Sequence, residues 1–118
     1  MRSPMQEAGE RDRVNLVERL VAEAIRSLPE PLRGAADELL IVVDGSTRGG
    51  LYGVFDGLPR GADDTGSLPP RITIFARTLL ADFAPGAELA AEVRTTLVHE
   101  IGHYLGLEEG DLEARGLE

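Results

Sequence analysis

Two histidines one helical turn apart, in an apolar segment near the C-terminus, constrain this chain more than any other feature. The segment reads VHEIGHYLGLEE from Val98 to Glu109, and it holds both histidines of the chain, His99 and His103. An α-helix advances about 100° per residue, so side chains at i and i+4 lie on one face, about 6 Å apart along the axis. Two imidazoles in that arrangement have the spacing to hold a single zinc ion.

The residues upstream predict that this segment is the end of a long helix. Pro85 and Gly86 mark its start, so we expect the helix to run from Ala87 to a stop at Gly106, which can adopt a positive φ. The histidines would then lie on a flank of its core-facing stripe. That stripe consists of apolar residues on one helical line, namely Leu89, Val93, Leu97, Ile101 and Leu105.

Length and composition predict one soluble domain and exclude several kinds of partner and site. The 118 residues suffice for one modest core, and the net charge of -9 argues against binding to nucleic acid or anionic membranes. Without cysteine, disulfides and thiolate metal ligands are excluded, so any metal must be bound by histidine and carboxylate. The chain shows neither a long apolar run nor the apolar core of a signal peptide, which predicts a cytoplasmic location. The sequence is compatible with a homodimer.

The N-terminal part predicts a flexible tail followed by an amphipathic helix. Residues 1–12 are polar and show no apolar period, and we expect residues 13–118 to form the single domain. From Arg13 apolar residues recur at intervals of three and four, which predicts a helix that ends at Ser27 or Leu28, before Pro29.

Three apolar segments predict the strands of a small mixed sheet. Leu39–Val43 is an uninterrupted apolar run, typical of a central strand covered on both faces. Arg71–Ala76 alternates, and the two prolines before it are best tolerated at a sheet edge. Leu51–Phe55 predicts a third, shorter strand. The intervening segment, Asp56–Pro70, is expected to be a long functional or mobile loop.

Glu100 adds an acid–base group to the pair of histidines. A zinc ion on both imidazoles would polarise a water molecule and a peptide carbonyl, and Glu100 could take the proton of that water and pass it to the leaving amine. Peptide hydrolysis then lacks only a third protein ligand. A turn at Gly106 would bring Glu108, Glu109 and Asp111 within reach of the metal.

This stretch resembles the zincin metallopeptidases, and most closely their small mini-zincin group, whose extended motif reads HExxHxxGxxD. The resemblance implies an α+β minimal zincin-like fold, with a small mixed sheet packed against an N-terminal helix and a long active-site helix. It also implies zinc-dependent hydrolysis of a peptide or protein substrate, with Glu109 as third ligand in place of the aspartate and Asp111 as the alternative. Four residues match the motif position by position: His99, Glu100, His103 and Gly106.

The resemblance extends more weakly over Leu51–Pro59 and Arg71–Arg77. In zincins an antiparallel edge strand above the active-site helix binds extended substrate, which implies that role for Ile72–Ala76. The methionine turn of many zincins has no counterpart here, since Met1 and Met5 precede the first predicted helix.

Each candidate also has an ordinary structural interpretation. HExxH is a short pattern that arises by chance, Glu109 could be an exposed acid at a helix start, and Asp111 could be a helix cap. Packing explains Tyr104 better than catalysis does. Two other functions therefore stand beside a peptidase with His99, His103 and Glu109 on zinc: a non-catalytic zinc- or peptide-binding module, and a structural domain that takes up no metal.

Overall fold

A computed structural model describes residues 2–62 and 69–117, which form five helices and a three-stranded mixed sheet. The α+β fold class predicted from the sequence is confirmed. In chain order the elements are α1 (Pro4–Ser27), α2 (Leu32–Ala36), β1 (Leu40–Asp44), β2 (Gly53–Asp56), β3 (Arg71–Phe75), α3 (Ala76–Asp82), α4 (Ala87–Tyr104) and α5 (Glu109–Ala114).

Helix α1 begins much earlier than its apolar period indicates. Its start at Pro4 is fixed by a capping box, in which the Gln6 amide donates to the Ser3 hydroxyl and the Ser3 amide donates to the Gln6 side chain. The predicted start at Arg13 is therefore wrong, and residues 4–12 of the expected tail are helical. The cap is local and polar, so apolar periodicity does not detect it. The flexibility of residues 1–12 and the division at residue 13 stay predictions.

Strand β3 occupies the centre of the sheet. It pairs with β1 in parallel and with β2 in antiparallel orientation, so both predicted strand positions are wrong: β1 is an edge strand and β3 is not. Ile72 and Ile74 are fully buried, whereas Leu40 of β1 is 54% exposed. The proline before β3 costs no ladder bond, because Pro70 contributes only its carbonyl, which accepts from the Leu40 amide at 3.1 Å.

Helix α4 packs its apolar stripe into a core shared with α1 and the sheet. Leu105, the last residue of the predicted stripe, lies just past the helix and is half-buried. Within the described part of the chain, no helix is both long and apolar enough to cross a membrane. The fully buried positions of α4 agree with the prediction and include Leu89, Val93, Leu97 and Ile101.

The expected loop Asp56–Pro70 is described only in part, because residues 63–68 lie outside the described residues. Its first residue, Asp56, is the last residue of β2. Further along, the Arg60 amide donates to the Tyr104 carbonyl at 2.8 Å. This contact ties the segment after β2 to the last residue of α4.

Candidate functional site

The core-facing stripe of α4 sets the exposure of the three motif residues. Val98 and Ile101 are buried, so His99 and Glu100 lie at the margin of the core and are half-buried. His103, one turn further along, is exposed. The two imidazoles thus project from one flank of the helix, as its periodicity requires.

Glu100 contacts one of the two histidines. Its Oε1 lies 3.2 Å from Nδ1 of His103, and its side chain is 12% exposed against 61% for the histidine. An ionised carboxylate only accepts hydrogen bonds, so Nδ1 must carry the hydrogen. In the neutral imidazole this leaves the lone pair of Nε2 for a metal, an arrangement typical of metal-binding histidines.

Gly106 ends α4 and reverses the chain, as predicted. With a φ of 76°, it donates its amide to the His103 carbonyl at 3.0 Å, and Leu107 donates to the Gly102 carbonyl at 2.8 Å. These two bonds form a Schellman motif, which needs a left-handed residue at this position. The turn leads directly into α5.

Helix α5 packs on α4 at the glycine between the two histidines. Leu112 is buried, and a Cβ atom on Gly102 would lie only 3.1 Å from its Cδ1. The glycine therefore allows the close approach of the two helices and fixes the position of α5 relative to the histidines.

Of the three carboxylates considered as the third ligand, one lies in a cleft with a histidine. Glu109, the first residue of α5, lines a cavity of about 280 Å³ together with His99, Thr95 and Val98. Asp111 instead caps α5, accepting from the Glu108 amide at 3.0 Å. The capping interpretation of Asp111 is thus confirmed.

The described residues contain no cluster of three or more histidine or carboxylate side chains that could hold a metal ion. Instead, His99 and Glu109 line one cavity, and Nδ1 of His103 lies 3.2 Å from Oε1 of Glu100. Two imidazoles and a carboxylate are the donors that zinc accepts in catalytic sites, so the donor chemistry fits. Closing a three-ligand site requires side-chain rotation, for which the exposed His103 has room.

A cluster of Glu38, Arg60 and Tyr104 supports the end of α4 from the other side. The Tyr104 hydroxyl donates to Oε1 of Glu38 at 2.7 Å, and Arg60 donates from Nε to the same oxygen at 3.0 Å. These hydrogen bonds, led by that from Arg60, lower the pKa of Glu38. The Tyr104 ring also packs edge-on against Phe55, with centroids 5.9 Å apart, so the packing role expected for this tyrosine is confirmed.

Sequence analysis missed this cluster, because its members lie far apart in the chain and belong to no motif. Taken one at a time, the three residues show no sequence pattern that would predict a shared site. The arrangement follows only from the position of the segment after β2 along α4.

Strand β2 presents the edge of the sheet beside α4. The Phe75 amide donates to the Tyr52 carbonyl at 2.8 Å, which fixes the hydrogen-bonded positions of the ladder. By alternation, Gly53 and Phe55 direct their backbone groups away from β3. A Cβ atom on Gly53 would lie 2.7 Å from Cγ2 of Thr96, so β2 runs close against α4.

The role that the resemblance implied for Ile72–Ala76 is wrong, because β3 has a neighbouring strand on each side. Its residues from Arg71 to Phe75 are all in register with both neighbours or with one of them. Of the two edge strands of the described sheet, β2 is the antiparallel one, and an edge strand can accept another strand.

Comparison with known proteins identifies one family. The sequence model of a family described as zincin-like metallopeptidase matches residues 34–117. The match covers the whole sheet and helices α3 to α5 but not α1. No curated protein matches the chain.

Proposed function

This chain belongs to the zincin-like metallopeptidase family, and from that membership we propose that it is a zinc-dependent peptidase. In this proposal His99, His103 and Glu109 hold the zinc ion and Glu100 is the general base. When bound, zinc supplies a Lewis acid next to the scissile carbonyl. The observation that carries the proposal is the cavity shared by His99 and Glu109, which unites a residue of α4 with one of α5.

The hydrogen bond between Glu100 and His103 supports both of their proposed roles. It holds the imidazole with Nε2 available as a ligand atom. Only Oε1 of Glu100 takes part, so Oε2 remains to accept a proton from the attacking water. Glu100 then passes that proton to the nitrogen of the leaving amine.

Within the described part of the chain no strand pairs with the outer edge of β2, which supports an extended peptide as substrate. A peptide strand would exchange backbone hydrogen bonds with Gly53 and Phe55 and so lie alongside α4. This contact reads backbone rather than side chains, so it favours peptides and proteins as a class. The absence of nucleic-acid and membrane partners, the homodimer and the cytoplasmic location stay predictions.

Replacing the proposed base tests catalysis separately from metal binding. We expect wild-type protein loaded with zinc to cleave members of a peptide library, and Glu100→Gln to retain zinc while losing activity by about 10²-fold or more. Glu92→Gln, a substitution two turns earlier on α4, serves as control and should retain both. Zinc content is measured by mass spectrometry and cleavage by chromatography.

A non-catalytic zinc- or peptide-binding module is the second candidate. It is favoured by the absence of a ready three-ligand cluster among the described residues and by the free edge of β2, which binds peptide without chemistry. Stoichiometric zinc without cleavage that depends on Glu100 would exclude the peptidase and leave this module. Failure to take up zinc at micromolar concentration would exclude both the zinc peptidase and the zinc-binding module.

A further inference from the structure

A cavity of about 670 Å³ lies far along the chain from the candidate metal site. It opens between the first turns of α1, the turn after β1 and the start of α3, and no residue of α4 or α5 lines it. Its charged lining consists of three arginines and one glutamate: Arg2, Arg13, Arg77 and Glu10.

Among the described residues, two of the three arginines have no anionic partner. Arg2 forms an ion pair with Glu10, but neither Arg13 nor Arg77 forms a hydrogen bond or ion pair within the described part of the chain. Nε of Arg13 is also buried without an acceptor. Guanidinium groups that line a cavity without a carboxylate partner favour an anion in that cavity.

The fold holds these groups around the cavity by close backbone approach. Arg13 lies along α1 over Gly9, where a Cβ atom would be 3.4 Å from its Nη1. Gly45, after β1, lies against Glu10, and any Cβ there would clash with the carboxylate at 2.4 Å. Glycine backbone and arginine side chains thus both line the cavity.

Topology places the cavity where α/β folds bind ligands. Strands β1 and β3 are parallel, and the cavity residues Ser46 and Arg77 are each the second residue after the carboxyl end of one of them. Ligands of such sheets bind outside the carboxyl ends of parallel strands. Half of the lining comes from α1, which lies outside the segment matched by the family, so the metallopeptidase assignment does not account for it.

From these contacts we propose that the cavity binds the phosphate group of a small phosphomonoester. Guanidinium groups bind phosphate and carboxylate in bidentate fashion, so charge decides between them. The lining carries a formal excess of two positive charges, which matches a phosphomonoester of about -1.5 to -2 better than a single carboxylate. The cavity falls within the volume range of small-molecule sites, which leaves room for the organic part.

Titration with inorganic phosphate tests the proposal. We expect calorimetry at constant ionic strength to show saturable binding to the wild type, and Arg13→Gln or Arg77→Gln each to weaken it about tenfold or more. Arg11→Gln changes an exposed arginine of α1 outside the cavity and should alter affinity less than about twofold. Arg77 is exposed, so its variant keeps the test valid if the Arg13 variant fails to fold.

Three results would overturn the phosphate site. The first is no saturable binding at tens of millimolar phosphate, since a Kd above about that range means negligible affinity. The second is that Arg11→Gln weakens phosphate binding as much as the cavity variants do. The third is that acetate binds as tightly as phosphate. The readout is anion binding to the whole chain and requires neither zinc nor peptidase activity. Failure to bind phosphate would therefore not count against the proposed peptidase function. Failure of the peptidase test would likewise not count against the phosphate site.

Discussion

At the scale of single residues, Glu38 shows how one carboxylate joins three distant parts of the chain. It accepts hydrogen bonds from Arg60 and Tyr104, and both stabilise its ionised form. Since the folded pKa of Glu38 lies below its ordinary value of 4.5, its contribution to stability is present above that value. It is lost as the pH falls through the folded pKa.

This linkage predicts a change in the pH dependence of unfolding. We expect the urea midpoint of the wild type to fall as the pH drops below about 4.5, and that of Glu38→Gln to fall less. Glu23→Gln, at an exposed position of α1, should follow the wild type. Parallel curves for Glu38→Gln and wild type would show that the contacts of Glu38 do not stabilise the fold.

The site residues differ in how far the sequence could predict them. The placement of His99 and His103 on one helix flank follows from helical period alone. The proximity of Glu109 to His99 depends on the turn at Gly106 and on the packing of Leu112 against α4. The spacing of residues along the sequence determines neither of these in three dimensions. The resemblance, not the period, selected Glu109 over its neighbours.

At the scale of elements, the contact of α5 with α4 depends on the absence of a side chain at Gly102. Gly102→Val would push Leu112 out of its position, and we expect it to cost about 1–3 kcal/mol in the free energy of unfolding. It should also weaken zinc binding, because Glu109 moves with α5. Chemical denaturation and a zinc titration measure the two effects.

Gly110→Ala is the matched control for this prediction. No atom lies within 4 Å of where its Cβ would be, so alanine meets no obstacle in α5. We expect unchanged zinc binding and a gain of about 0.5 kcal/mol from the better helix propensity. Loss of zinc affinity in both variants would show that α5 does not position the ligand through this contact.

The order of the strands shows where local sequence patterns stop being informative. The apolar run in β1 indicates burial, yet β1 lies at an edge and its ends are exposed, whereas the proline-preceded β3 is central. Pairing partners are set by how the strands fit under α1 and α4, which is a property of the whole core. Element type and approximate position were predictable, and neighbour order was not.

At the scale of the whole molecule, the sheet predicts a graded pattern of amide exchange. Strand β3 is buried and paired with a strand on each side, so within the sheet the amides of Ile72 and Ile74 should exchange most slowly. Amides of Gly53 and Phe55 point to the open edge and should exchange faster than that of Val54. Exchange measured by NMR checks this order, and slow exchange at Gly53 and Phe55 in the absence of peptide would contradict an open edge.

Because of helix α1, the segment matched by the family model and the segment that forms the folded core begin at different places in the chain. The segment matched by the family model begins at residue 34, yet Val17, Val21 and Ala24 of α1 belong to the one core that also contains α4 and β3. A chain cut at the limit of similarity would leave that core open to water on one side. The segment that the family model matches is therefore smaller than the unit that folds. The helix that carries the candidate metal ligands, α4, shares its core with a helix that lies outside the match.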